Sequence, residues 1–335
     1  MNISFFEVAE EEEKGLKSEF RGSRLLFSDQ PLSLGNAESA KNSEVISVFI
    51  YSKITKEILD KLPKLKMIAT RSTGYDHIDL NECRKKGVAV CSVPFYGENT
   101  VAEFAFGLIL SLSRNIHKST LRILGGDFSI AGLEGFDLKG KTIGVIGVGS
   151  IGRHVIKIAS GFEMNILATS PRKDKGLQRK FKFRYAPLKT LLKKSDIVTL
   201  HVPLTPETRH MINSSTIKLM KPGAILINTS RGEVVDTKAL LSALENNRIK
   251  GAGLDVIEGE AEIKEEKQLL HESGKEHQEK LKIIIDSYEI LRNEKVIFTP
   301  HIAFYTEEAL RRIMKTSTDN IKCFIKRKPQ NVISS

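Results

Sequence analysis

With 335 residues, 40% hydrophobic and 28% charged, the chain is long enough for two domains with separate cores and has an ordinary globular make-up. No apolar run reaches membrane-spanning length, and the N-terminus lacks the basic and apolar regions of a signal peptide, so a cytoplasmic location is expected. The net charge of +11 invites nucleic acid, but the lysines read as scattered, with no basic stripe interleaved with aromatics, so neither a nucleic-acid nor a membrane partner is expected.

Residues 3–8 form a short strand-like run. A buried strand is expected over 47–51, a short helix over 55–62 stopped by Pro63, a strand over 65–70, a short helix over 78–86 and a strand over 88–90. Such alternation implies a parallel sheet with helices on both faces. Residues 99–116 then read as one long apolar helix, with Val101, Phe104, Ala105, Leu108, Ile109 and Leu112 at helical spacing. Its length suggests a domain junction or a subunit interface.

The most informative stretch is 141–152, an apolar strand running into Gly147-Val148-Gly149-Ser150-Ile151-Gly152 and a helix from 151 to about 160. Gly147 serves the tight turn, Gly149 lets backbone approach a pyrophosphate, and Gly152 lets the helix pack close to the sheet. The helix N-terminus offers free N–H groups and a positive dipole end to phosphates. Five further strands follow at 165–169, 197–200, 224–227, 253–256 and 296–298, spaced for crossover helices. With the strand before the glycines they make six, a doubly wound sheet. Residues 258–292 are strongly charged and read as a solvated surface excursion ending in a helix over 281–291. Cys83, Cys91 and Cys323 have no ligand spacing, and the eight histidines contain no His-x-x-x-His pair, so no metal is expected.

Four segments join the glycine loop: Arg71-Ser72-Thr73-Gly74-Tyr75-Asp76-His77-Ile78-Asp79; Val93-Pro94-Phe95-Tyr96 through Val101-Ala102-Glu103; Asn228-Thr229-Ser230-Arg231-Gly232-Glu233-Val234-Val235-Asp236; and Thr299-Pro300-His301-Ile302-Ala303-Phe304-Tyr305-Thr306. Together they resemble the D-isomer-specific 2-hydroxyacid dehydrogenases over about residues 48–324, most closely the D-lactate dehydrogenase branch. The resemblance implies an α/β protein of two domains. A flavodoxin-like substrate domain would comprise 1–100 and 302–335. A Rossmann-type NAD(P) domain, 101–301, would be inserted into it and carry the charged insertion near 261–292. The active site would lie in the cleft, and a homodimer would form through the helix around 99–116.

The implied activity is hydride transfer between a nicotinamide cofactor and a 2-keto or D-2-hydroxy acid, with D-lactate and pyruvate first. Glyoxylate or hydroxypyruvate reductase and 3-phosphoglycerate dehydrogenase are the enzyme alternatives, and a cofactor-sensing corepressor-like scaffold is the non-enzyme one. Such chemistry needs a cation for the carboxylate, a proton donor for the carbonyl oxygen and an oriented slot. The resemblance points to Arg231, whose planar fork suits a carboxylate, with Arg71 as the alternative anchor. It points to His301 as the acid, since imidazole titrates near neutral pH, and to Glu260, with Glu258 as its rival, as the carboxylate beside it. Thr73, Gly74 and Tyr96 would contact substrate, although Tyr96 serves equally as a packed aromatic.

The expected cofactor contacts are Gly147, Gly149, Ser150, Ile151 and Gly152; Thr169, Ser170 and Arg172; His201, Val202, Pro203 and Thr208; Asn228, Thr229 and Ser230; and Asp255, His301 and Ala303. Two positions depart from the family's pattern. Phe104 stands where the family often has His. Ser170 stands where an NAD enzyme usually places Asp for the ribose hydroxyls, and Arg172 and Lys173 follow it. Both NAD(H) and NADP(H) therefore remain open as cofactors.

Overall fold

Short apolar strands build two parallel sheets, one in each of two units: Met1–Tyr96 with Thr306–Ser335, and Gly97–Tyr305. The computed structural model describes residues 1–260 and 275–333.

In the first unit the strands are β1 (Asn2–Phe5), β2 (Arg24–Phe27), β3 (Val45–Val48), β4 (Met67–Thr70) and β5 (Ala89–Cys91). They are all parallel and ordered β2-β1-β3-β4-β5, the flavodoxin-like order. β3 and β4 are buried at every position, which is why they read as unbroken apolar runs rather than alternating ones. The C-terminal helix Glu307–Ile325 belongs to this unit, and its Ile321 shares a core cluster with Ile3, Phe5, Val45 and Met67. Asn320 Nδ2 donates to the Ser92 carbonyl at 2.9 Å, and Ile333 N to the Val90 carbonyl at 2.8 Å.

One strand expectation shifts here, and two elements were not expected. The strand placed at 47–51 stops at Val48, because Phe49 N and Tyr51 N turn to the Glu7 carboxylate at 2.8 and 2.9 Å. β2 and the helix Glu10–Glu19 had no sequence signal. Among the helix's residues only Leu16 is buried, and four successive glutamates fill its first turn, where they suit the positive dipole end.

The second unit carries seven strands: β6 (Thr142–Ile146), β7 (Asn165–Thr169), β8 (Arg184–Tyr185), β9 (Ile197–Leu200), β10 (Ala224–Asn228), β11 (Ile249–Leu254) and β12 (Val296–Phe298). Their order is β12-β11-β10-β9-β6-β7-β8, all parallel, so the winding reverses between β6 and β9. The expected six become seven because β8, an edge strand of two residues, is too short for periodicity to reveal.

The long apolar helix is Glu98–Ser113, and it lies against the sheet: a Cβ on Gly253 of β11 would sit 2.9 Å from Leu108 Cβ. Its apolarity therefore belongs to the core, with Ala102, Ala105, Leu108 and Ile109 buried. Asn115, in the left-handed region at φ 52°, then breaks the chain into a second helix, Ile116–Leu124, with no buried residue. Ile116, Leu121, Ile123, Leu124, Phe128 and Ile130 are all exposed.

The expectation of scattered charge is also corrected. Residues 172–194 hold ten lysines and arginines against one acid, Asp174, which is a net +9 of the chain's +11. All ten cations are exposed around the edge strand β8. Charged side chains there also guard an open sheet edge against pairing with another chain.

Of the charged excursion, residues 261–274 lie outside the described residues. The helix Lys275–Arg292 buries Ile284, Ser287 and Ile290 on one face, and Ser287 Oγ donates to the Glu258 carbonyl at 3.0 Å. The end of the excursion is therefore packed against the segment that carries Glu258 and Glu260, not solvated throughout.

Candidate active site

Ligands of doubly wound sheets bind beyond the carboxyl ends of the strands where the winding reverses. Here those ends are Ile146 of β6 and Leu200 of β9. Gly147 follows β6 with φ 94°, and a Cβ on it would lie 2.2 Å from the His201 carbonyl oxygen. A Cβ on Gly152 would meet the Gly147 carbonyl at 2.0 Å. Any side chain at either position would force turn, helix and strand apart. Gly149 differs: no atom lies within 4 Å of the place its Cβ would take, so the fold itself does not demand a glycine there. Close backbone approach by an anionic ligand explains it. Ser150 and Ile151 open the helix Ser150–Gly161, with their N–H groups at the positive dipole end.

Two buried polar atoms near this edge have no hydrogen-bond partner among the described residues, His201 Nδ1 and Thr229 Oγ1. The other His201 nitrogen lies 2.8 Å from Thr199 Oγ1, and burial pushes the ring's pKa down to about 3, so it is neutral. Enclosed groups of this kind want a partner. The glycine turn, the unpartnered atoms and the free helix end fit a dinucleotide. Thr169 and Ser170 close β7 on the adjacent strand, half-buried, with Arg172 exposed beyond them. Val202 and Pro203 follow His201 in the loop after β9.

Several of the expected cofactor contacts also make hydrogen bonds within the fold. Thr208 Oγ1 donates to the Pro203 carbonyl and accepts from Thr205 N, both at 2.7 Å, so its hydroxyl closes a turn. Asn228 is buried, its Oδ1 accepts from Ser230 N and Oγ at 3.0 and 2.8 Å, and its Nδ2 donates to the Arg231 carbonyl at 2.8 Å. Asn228 and Ser230 thus shape the turn that presents Arg231. Asp255 is buried as well. Its Oδ1 accepts from Thr299 Oγ1 at 2.5 Å and Ile302 N at 2.9 Å, and its Oδ2 accepts from Ala303 N at 2.8 Å. Burial raises the Asp255 pKa against those hydrogen bonds and the nearby His301 charge. Asp255 and Ala303 together therefore clamp the loop around His301.

That loop places His301 at φ 57°, a left-handed conformation uncommon for a residue with a side chain. Its N–H reaches the Asp255 and Thr299 carbonyls at 3.0 and 2.9 Å. His301 Nδ1 lies 3.5 Å from Glu260 Oε2, and both side chains are part-buried. Of the two glutamates, Glu260 is the one beside His301. Glu258 turns away, accepting from His210 Nε2 at 2.8 Å and Thr237 Oγ1 at 3.2 Å. Gly259, at φ 77°, reverses the chain between the two carboxylates. Arg231 precedes Gly232, where a Cβ would lie 2.2 Å from the Ile257 carbonyl group, so the Arg231 turn and the glutamate segment are packed backbone to backbone. Arg231 Nη1 donates to the Ser230 carbonyl at 2.8 Å.

In the first unit, Thr73 and Gly74 follow β4, and Tyr96 lies beyond β5. Thr73 Oγ1 donates to the Val93 carbonyl at 2.7 Å, and the Gly74 carbonyl accepts from Ser72 Oγ at 2.6 Å. The Tyr96 carbonyl accepts from Arg312 Nε at 2.6 Å. Arg71 does not serve as an anchor. It is buried, with Nη2 donating to the Phe6 and Glu7 carbonyls at 2.7 and 2.6 Å, so it ties β1 to β4. Among the described residues no group of three or more His, Cys, Asp or Glu could hold a metal, and no helix is long and apolar enough to cross a membrane.

Residues 106–303 match the family described as D-isomer specific 2-hydroxyacid dehydrogenase, NAD binding domain. The chain is 36% identical over 305 residues to a glyoxylate reductase of Thermococcus litoralis, covering 89% of this chain and 85% of that one. It is 34% identical over 329 residues to the D-lactate dehydrogenase of Escherichia coli, covering 96% of each. Among solved structures, D-lactate dehydrogenase from Aquifex aeolicus, complexed with NAD and lactic acid, superposes with a TM-score of 0.87 at 38% identity, over 98% of this chain and 96% of that one.

Proposed function

The chain belongs to the D-isomer-specific 2-hydroxyacid dehydrogenases, NAD-dependent oxidoreductases acting on CH–OH donors, and from that premise we propose that it interconverts pyruvate and D-lactate. The Glu260–His301 pair on its clamped loop carries the reading. The glycine turn and the helix N-terminus would hold the pyrophosphate of the cofactor, whose nicotinamide would supply or take the hydride. Arg231 binds the substrate carboxylate through its guanidinium fork. Because His301 Nδ1 faces Glu260, Nε2 is the atom that gives a proton to the carbonyl oxygen in reduction and takes it back in oxidation. Glu260 orients the imidazole through its contact with Nδ1. Near-complete coverage of the E. coli enzyme supports pyruvate. The comparable match to a glyoxylate reductase makes glyoxylate the competing substrate. Initial rates over pyruvate, glyoxylate and hydroxypyruvate separate the two. Pyruvate is expected to give the highest kcat/KM, and a larger value for glyoxylate reverses the assignment.

We infer that NADPH is used as well as NADH. No carboxylate stands at Ser170 to repel a 2′-phosphate, and Arg172 and Lys173 follow it on the exposed loop. Ser170→Asp is expected to lower kcat/KM for NADPH by about tenfold to a hundredfold, the worth of one or two charge-assisted hydrogen bonds, while sparing NADH. A wild-type preference for NADH above about a hundredfold contradicts the inference.

A homodimer is also proposed, through residues 116–130 rather than the helix before them. Glu98–Ser113 buries its apolar side chains in its own core, whereas the six exposed apolar residues of 116–130 are left uncovered by the described residues. Leu124→Asp with Phe128→Asp is expected to give a monomer that still binds NADH, read by light scattering on the eluting protein. A monomeric wild type excludes the dimer.

A further inference from the structure

Glu258 is a buried carboxylate that the proton transfer does not use, two residues before the Glu260 that faces His301. Its side chain meets two other segments of the same unit. Oε1 accepts from His210 Nε2 at 2.8 Å, with Arg209 Nη2 at 3.5 Å, and Oε2 accepts from Thr237 Oγ1 at 3.2 Å. A carboxylate oxygen only accepts, so His210 Nε2 carries the proton. Enclosed as it is, the carboxylate depends on such partners.

His210 is itself held through its backbone. It sits in the left-handed region at φ 48°, its N–H donates to the Glu233 carbonyl at 2.8 Å, and its carbonyl accepts from Asn213 Nδ2 at 2.8 Å. Residues 257–260 are confined on other sides as well. The Ile257 carbonyl abuts Gly232, a Cβ on Gly259 would lie 2.9 Å from Ile283 Cγ2, and Ser287 Oγ donates to the Glu258 carbonyl at 3.0 Å. The Glu258 side chain is thus a polar tie on the short segment that ends in Glu260. Glu260 Oε2 lies 3.5 Å from His301 Nδ1, at the outer limit of a hydrogen bond, so a shift of a fraction of an ångström decides whether that contact forms.

We propose that the Glu258–His210 bond positions Glu260 against His301, so that Glu258 and His210 are positioning residues for the proton transfer. This rests on Glu260 and His301 as the proton-transfer pair. The test measures single-turnover reduction of the preferred keto acid with NADH. His210→Ala is expected to lower the rate by about tenfold to a hundredfold, the scale on which displacing an oriented group by roughly an ångström acts, with KM nearly unchanged. The His210 side chain is part-exposed, so its loss opens no hole in the core. His210→Gln, whose amide N–H can donate to Glu258, should restore most of the rate. In the Glu260→Gln background, His210→Ala should lower the rate no further, because its effect passes through Glu260. Glu258→Gln in the same two backgrounds carries the test if His210→Ala does not fold. An equal loss in both backgrounds, a rise in KM alone, no recovery with glutamine, or a full rate in His210→Ala where Glu260→Gln is slow overturns the proposal. A full rate in Glu260→Gln itself is a different result, since it overturns the proton-transfer pair and this proposal with it.

Discussion

His301→Gln is expected to lower kcat for keto-acid reduction by roughly a hundred- to ten-thousand-fold, the usual worth of a positioned general acid, with cofactor affinity nearly unchanged. The separation follows from how the residue is held. Its N–H and its loop are fixed by backbone and Asp255 contacts that do not involve the ring, so glutamine removes the proton donor without releasing the loop. Single-turnover rates with NADH and pyruvate make the comparison where chemistry is exposed. A variant keeping more than about a third of the wild-type single-turnover rate would remove His301 from the reaction.

Arg231→Lys is expected to raise KM for the keto acid and to lower kcat together. Lysine keeps the charge but loses the planar fork, so the carboxylate is held less firmly and the carbonyl is misoriented towards the hydride. Losing one charge-assisted hydrogen bond corresponds to roughly ten- to a hundred-fold in kcat/KM. A change in KM alone would mean that Arg231 binds substrate and transition state equally. A silent substitution would place the anchor elsewhere, and Arg71 is not the candidate, since its guanidinium is buried between carbonyls.

The glycine turn was legible because its spacing has a mechanism: two of its three glycines sit where a Cβ would strike a carbonyl, and the third where backbone is left open. The winding of the second sheet followed from its apolar strands, all but the two-residue edge. Other features lay beyond linear reading. Glu258 and Glu260 are two residues apart, and only the reversal at Gly259 decides which one meets His301. Asn228 and Asp255 stood in the right segments, but no sequence pattern tells which way an amide or a carboxylate turns. Both turn inward, onto the backbone that carries Arg231 and His301. The basic run 172–194 was visible as a count, yet whole-chain composition diluted it. The apolar helix suggested an interface because of its length, although its apolar side chains face its own sheet and the exposed ones lie just after it.

Arg231, His301 and Glu260 are proposed as the hydride-transfer site of a D-specific enzyme. Its most direct test is stereochemical: purified protein is incubated with pyruvate and NADH, NADH consumption is followed, and the lactate formed is resolved by chirality. NADH oxidation with D-lactate as the sole product is expected in wild type, with loss of that product in His301→Gln. Formation of L-lactate, or no turnover with pyruvate, glyoxylate or hydroxypyruvate, would contradict it.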